Sequence, residues 1–174
     1  IETNTFGSNA LVATEWGFEE RVVEMNRLAV RHARAAIAGL PGRYVAGSIG
    51  PTNKLPSLGH VGVVELRQAY KVQMRALVEA GVDSLIIETS QDLLQIKTAL
   101  VAAFEVFDEL KTEVPVQVSV TVERTGTMLP GTRLSAVVAT LSPFPIFSLG
   151  LNCSTGPDEM ARHIDYLSRN WSGR

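Results

Sequence analysis

Short strand-like runs, apolar in all but the first, and amphipathic stripes alternate five times along this chain, and no other feature constrains its fold as tightly. The runs lie at 1–6, 44–49, 84–88, 114–122 and 146–151. Between them come stretches with apolar residues three and four apart, the signature of a helix with one buried face. Val22, Met25, Ala29, Ala33 and Ile37 form one such stripe, predicting a helix over about 19–38 that Gly39 and Pro41 stop. Val63, Leu66, Tyr70, Met74 and Leu77 form a second, with Gly81 just past its end. Leu93, Ile96, Leu100, Ala103, Phe107 and Leu110 form a third. A short helix follows on Leu134, Val137, Val138 and Leu141, and a last one over 157–167 is opened by Asp158. Ser8 or Asn9 caps a further short helix at 10–15. The run at 84–88 has an unbroken apolar centre, as a parallel strand buried on both faces requires. Strand-helix alternation implies a parallel sheet with helices outside it, either a (β/α) barrel or an open doubly wound sheet.

Composition removes several function classes. A net charge of −2 and a pI near 5.9 give no electrostatic basis for nucleic-acid binding. No apolar run is long enough to span a membrane and no signal-peptide pattern is present, so a soluble, cytoplasmic protein is expected. One cysteine excludes an intrachain disulfide. No internal linker divides residues 1–174, so they form one domain or part of one. The chain starts inside a strand and its end, 168–174, trails off after a helix, as in a piece cut from something larger.

Each strand finishes in groups able to bind or react: Asn4 and Thr5, then Gly50 to Asn53, then Glu88 and Thr89, then Thr121 and Glu123, then Asn152 and Cys153. In a parallel sheet these C-terminal ends share one rim, which is where barrel enzymes carry their active sites. Any βα loop is polar because it meets water, but Glu88 and Cys153 each directly follow a strongly apolar strand. A thiol past a strand end and before a helix N-terminus is placed to act as a thiolate, either nucleophile or metal ligand; the alternative is a small core residue. His32, His60 and His163 have no metal-ligand spacing to the cysteine, and Trp16 and Trp171 are expected to be packing residues. No phosphate-binding glycine pattern is present. The loop at 52–61 is long for its position and is expected to cover a site.

The segments Glu2-Thr3-Asn4-Thr5-Phe6, Tyr44 to Asn53 (YVAGSIGPTN), Ile86 to Gln95 (IIETSQDLLQ), Gly126-Thr127-Met128-Leu129-Pro130-Gly131 and Gly150-Leu151-Asn152-Cys153 together resemble the homocysteine-binding domain of cobalamin-dependent methionine synthase. They stand in family order across nearly the whole chain. The resemblance implies a partial (β/α)8 TIM barrel, roughly strands 2 to 6 with their helices. It implies zinc held by three cysteines, of which Cys153 matches one. The other two form a Gly-Gly-Cys-Cys pair that this sequence lacks. Glu88 matches the acid that meets the substrate ammonium, and Asn4 and Asn152 are candidates for placing the substrate or orienting the zinc ligands. The implied reaction is transfer of a methyl group to a zinc-bound homocysteine thiolate. The immediate donor is methylcobalamin on another domain of the parent, and the upstream donor is 5-methyltetrahydrofolate on a folate-binding domain. With one thiolate, the 174 residues alone are expected to hold no zinc tightly and to be inactive. A betaine- or S-methylmethionine-dependent homocysteine methyltransferase shares the zinc logic, and a non-catalytic α/β scaffold is the reading from a different class.

Overall fold

A computed structural model describes residues 1–173; Arg174, the last residue of the tail discussed above, lies outside them. Four strands form one wholly parallel sheet: β1 (Ala46–Ile49), β2 (Ser84–Ser90), β3 (Val116–Val120) and β4 (Ser148–Leu151). Their spatial order is their sequence order. An open doubly wound sheet reverses direction at a switch point, whereas a barrel wall does not; this sheet shows no reversal, which fits an arc of a barrel. The opening segment joins the arc only as a parallel bridge from Glu2 to Ala46, so the first of the five expected strands is reduced to one ladder step. Thr3 donates its amide to the Ala46 carbonyl at 2.9 Å, and Ala46 donates to Ile1 at 2.9 Å.

Six helices connect and follow these segments: α1 (Ala10–Ala13), α2 (Val22–Ala36), α3 (Val63–Glu79), α4 (Leu93–Leu110), α5 (Leu134–Leu141) and α6 (Pro157–Asn170). Asn9 caps α1 by accepting from the Val12 amide, and Gly81 takes the left-handed turn after α3 at φ 89°. Gly156, not Asp158, is the N-cap of α6; Pro157 holds the first position and Asp158 lies in the first turn, where its charge suits the helix dipole.

Strand alternation divides the sheet into two unlike faces. Leu85, Ile87, Val116, Val118, Val120 and Leu149 point to the helices and are buried with Leu66, Met74, Leu77, Leu100 and Val106. Each such side chain contributes about 1.5–3 kcal/mol relative to exposure. The opposite face carries Ser48, Ile86, Glu88, Gln117, Ser119 and Ser148, as the register requires. Ile86, on this face, is partly buried among the described residues. The covered face supplies the stability, and the open polar face is the inner wall of the arc.

Two sequence expectations need correction. The buried stripe of α2 is Val22, Asn26, Val30 and Ala33, while Met25, Ala29 and Leu28 line an open groove. Asn26 is fully buried because its amide donates to the carbonyls of Ser8 (2.8 Å) and Val22 (2.7 Å). Trp16 is 73% exposed and is not a packing residue, whereas Trp171 packs on the core.

Candidate functional site

The C-terminal ends of the strands gather Gly50, Glu88, Thr121, Asn152 and Cys153 at one end of the sheet. Gly50 is a glycine for lack of space: a Cβ there would sit 2.7 Å from the Phe6 ring. The loop at 52–61 is pinned rather than free. Asp92, wholly buried as the N-cap of α4, accepts from the amide and hydroxyl of Ser57 (2.9 and 2.7 Å) as well as from the amides of Leu94 and Gln95. Four donors and a helix N-terminus compensate that buried carboxylate.

A register shift in β2 shapes the centre of the rim. Ile87 pairs with Val118 but Ser90 pairs with Val120, so one extra residue is accommodated between them. Such bulges re-aim side chains and are common beside active sites. Here Glu88 turns to the inner face and donates nothing; it accepts from the Ser48 hydroxyl at 2.5 Å. Thr89 takes a left-handed backbone at φ 55°, uncommon for a β-branched residue. Across the end of β3, the half-buried Asn152 meets it. The Asn152 carboxamide oxygen accepts from the Thr89 amide (3.1 Å) and the Ser119 hydroxyl (2.6 Å). Its nitrogen donates to the Thr89 hydroxyl (2.7 Å) and to the Cys153 sulfur (3.1 Å).

Past Asn152 the chain turns sharply. Cys153 and Ser154 are both left-handed, at φ 63° and 61°, and the Thr155 amide closes the turn on the Cys153 carbonyl at 2.7 Å. Such residues cost on the order of 1–3 kcal/mol each and persist only where the surroundings hold them. The holding groups are present: Thr121 donates its hydroxyl to the Asn152 carbonyl (3.1 Å), and Ser154 donates to Glu123 (2.6 Å). The result is an exposed thiol in a fixed place, with an N–H directed at its sulfur.

A second carboxylate joins the inner face. Glu2, beside Ala46, is raised above the ordinary glutamate value, first by burial and then by the negative charge of Glu88. Two acids in mutual repulsion favour a cation between or beside them. Asn4 stands apart: it makes no hydrogen bond to Glu88, Asn152 or Cys153 among the described residues, and it lines a groove of about 570 Å³ between the opening segment and α2. That groove is walled mainly by Met25, Leu28, Ala29 and Ala33, with Glu2 and His32 beside Asn4, and lies along a side of the arc rather than at its mouth. No group of three or more His, Cys, Asp or Glu able to hold a metal occurs among the described residues. Cys153 fits as a single sulfur ligand, and any further ligands would come from outside them.

The family profile described as homocysteine S-methyltransferase matches residues 1–173. The chain belongs to the homocysteine S-methyltransferase family. It is 38% identical to the methionine synthase of Mycobacterium tuberculosis strain H37Rv and 37% identical to that of Mycobacterium leprae, over 98% of its own length in each case. It spans only 15% and 14% of those relatives. Among solved structures, the metallated homocysteine methyltransferase MmuM of Escherichia coli superposes with a TM-score of 0.78 at 24% identity, covering 97% of this chain and 62% of that one. Its apo form gives 0.70 at 25% identity, covering 87% and 56%. The fold is therefore part of a (β/α)8 barrel, as the family resemblance implied.

Sequence reasoning did not single out Ser48, Ser119 and Ser154. A signal was present in Val116-Gln117-Val118-Ser119-Val120, whose strict alternation marks a strand with one polar face.

Proposed function

We propose that residues 1–174 are part of a single homocysteine-binding barrel domain, and that the complete protein is a methionine synthase. The observation that carries this is the pairing, on one rim, of an immobilised exposed thiol at Cys153 with an inner-face carboxylate at Glu88. Cys153 supplies one ligand of a zinc ion whose remaining ligands lie outside the described residues. When bound, zinc keeps a coordinated thiol in its thiolate form at neutral pH. Glu88 accepts the substrate ammonium, with Glu2 strengthening the negative potential of that wall. Asn152 orients the cysteine, and Asn4 is the more distant contact for the substrate. The homocysteine sulfur then accepts a methyl group to give methionine. Methylcobalamin is the donor and 5-methyltetrahydrofolate its source, each on another domain of the same parent.

No helix of the described residues is long and apolar enough to cross a membrane. We place the protein in the cytoplasm, whose reducing conditions keep a thiol such as Cys153 free to bind zinc. The 38% and 37% identity to methionine synthases, against 24% and 25% for the MmuM structures, supports reading the complete protein as a methionine synthase, and methylcobalamin as donor rests on the family resemblance of its segments. The test is methyl transfer to homocysteine by the complete protein, with each donor in turn. Methionine formation with methylcobalamin is expected. Turnover with betaine or S-methylmethionine alone would reassign the donor, and no turnover with any of the three would leave the scaffold reading.

A further inference from the structure

We propose that Thr89 is a positioning residue for the Cys153 sulfur, an inference that rests on the reading of Cys153 as the working thiol. The Asn152 carboxamide has two acceptor sites and two donor hydrogens, and all four are used. Three of its partners are indifferent to orientation: the hydroxyls of Thr89 and Ser119 can donate or accept, and a thiol can do either weakly. The fourth is the backbone amide of Thr89, which can only donate. It therefore decides which end of the carboxamide is oxygen, and so that an N–H rather than a carbonyl faces the sulfur. A reversed carboxamide would set its oxygen against the sulfur and repel a thiolate.

The left-handed backbone of Thr89 is what turns both its amide and its hydroxyl to the same side chain. Glycine takes that conformation without strain, yet the position carries a β-branched residue whose hydroxyl closes the second bond. The strain is thus held where it orients a group two strands away.

The test uses the complete protein and three variants: Thr89→Val, Thr89→Ser and Asn152→Asp. In metal-free protein, the rate of Cys153 labelling by iodoacetamide is followed by peptide mass spectrometry. Thr89→Val keeps the amide that sets which end of the carboxamide is oxygen, but removes the hydroxyl that holds its nitrogen end in line with the sulfur. A misaligned N–H donor to the thiolate slows labelling by about threefold. Thr89→Val and Asn152→Asp should both label more slowly, and Thr89→Ser should match wild type. Zinc affinity should follow the same order, falling by about tenfold in Thr89→Val. Wild-type labelling by a folded Thr89→Val, or Thr89→Ser as slow as Thr89→Val, overturns the proposal. If Thr89→Val does not fold, a fourth variant, Thr89→Gly, takes its place, because glycine adopts the left-handed backbone without strain and lacks the hydroxyl: slow labelling then supports the proposal and wild-type labelling overturns it. Labelling of metal-free protein is independent of zinc, so it tests Thr89 even if the zinc reading of Cys153 fails.

Discussion

The two ends of the same sheet are built on opposite terms. At the N-terminal end, Asp83 accepts from the Val45 amide at 2.6 Å and pairs with Arg34 at 2.8 Å. Arg34 also donates to the Gly81 carbonyl, so one ion pair ties the end of α2, the turn after α3 and the starts of β1 and β2. The arginine, followed by the amide, holds the Asp83 carboxyl below its ordinary value. The charges there are answered, and the one left-handed residue in the clamp is a glycine. At the C-terminal end, three residues other than glycine are left-handed, an exposed thiol is held in place, and Glu88 carries a charge that Glu2, lower on the inner face beside Ala46, opposes rather than answers. In barrels the first end serves stability and the second function, and here the difference is written in charge balance and in dihedral angles, with Lys111, at the end of α4, the one left-handed residue other than glycine at the first end.

Substitutions at the two ends should therefore separate binding from stability. The largest effect is expected from Glu88→Gln in the complete protein. Losing a charged partner for an ammonium weakens homocysteine binding by about tenfold to a hundredfold, with the thermal midpoint little changed. Isothermal titration with homocysteine checks this; unaltered affinity would remove Glu88 from the site. A smaller effect is expected from Asp83→Asn at the other end, about 1 kcal/mol of stability in urea unfolding with homocysteine affinity unchanged. A fall in affinity there, with the fold intact, would break the comparison.

The same variant carries a pH signature. Because the folded carboxyl of Asp83 is depressed, its stabilisation is complete above the unfolded aspartate value of about 3.9 and is lost as pH falls through the lower folded value. Asp83→Asn should flatten that part of the acid stability profile. The smallest effect concerns Glu2, whose raised carboxyl owes part of its shift to Glu88. In Glu88→Gln its titration midpoint, followed by carboxyl NMR, should move down toward the ordinary value. An unmoved midpoint would mean the two acids do not face each other.

Much of this architecture was legible in the residues. The alternation of apolar runs and stripes marks the order of strands and helices, and Asn9 and Gly81 mark helix ends by their own chemistry. The rim was legible because strand ends in a parallel sheet must lie together. The phase of α2 was not, since apolar spacing cannot see that Asn26 satisfies its amide on Ser8 and Val22 and so enters the core. Nor was the opening segment's single ladder step, because pairing depends on a neighbour and not on local pattern. The bulge at Glu88 and the left-handed backbones of Thr89, Cys153 and Ser154 leave no trace in hydropathy, for dihedral angles are set by what the groups must meet. The role of Asn152 as a four-bonded hub was hidden for the same reason, although its position beside Cys153 was plain.

The claim that function sits at the C-terminal end of the sheet is tested most directly by zinc content and homocysteine affinity, measured side by side for Cys153→Ala and Asp83→Asn in the complete protein. Cys153 is exposed, so its loss should leave the fold intact while zinc and homocysteine binding are both lost. Asp83→Asn should keep both while unfolding at lower urea. A folded Cys153→Ala protein that retains its zinc and binds homocysteine normally would contradict the account.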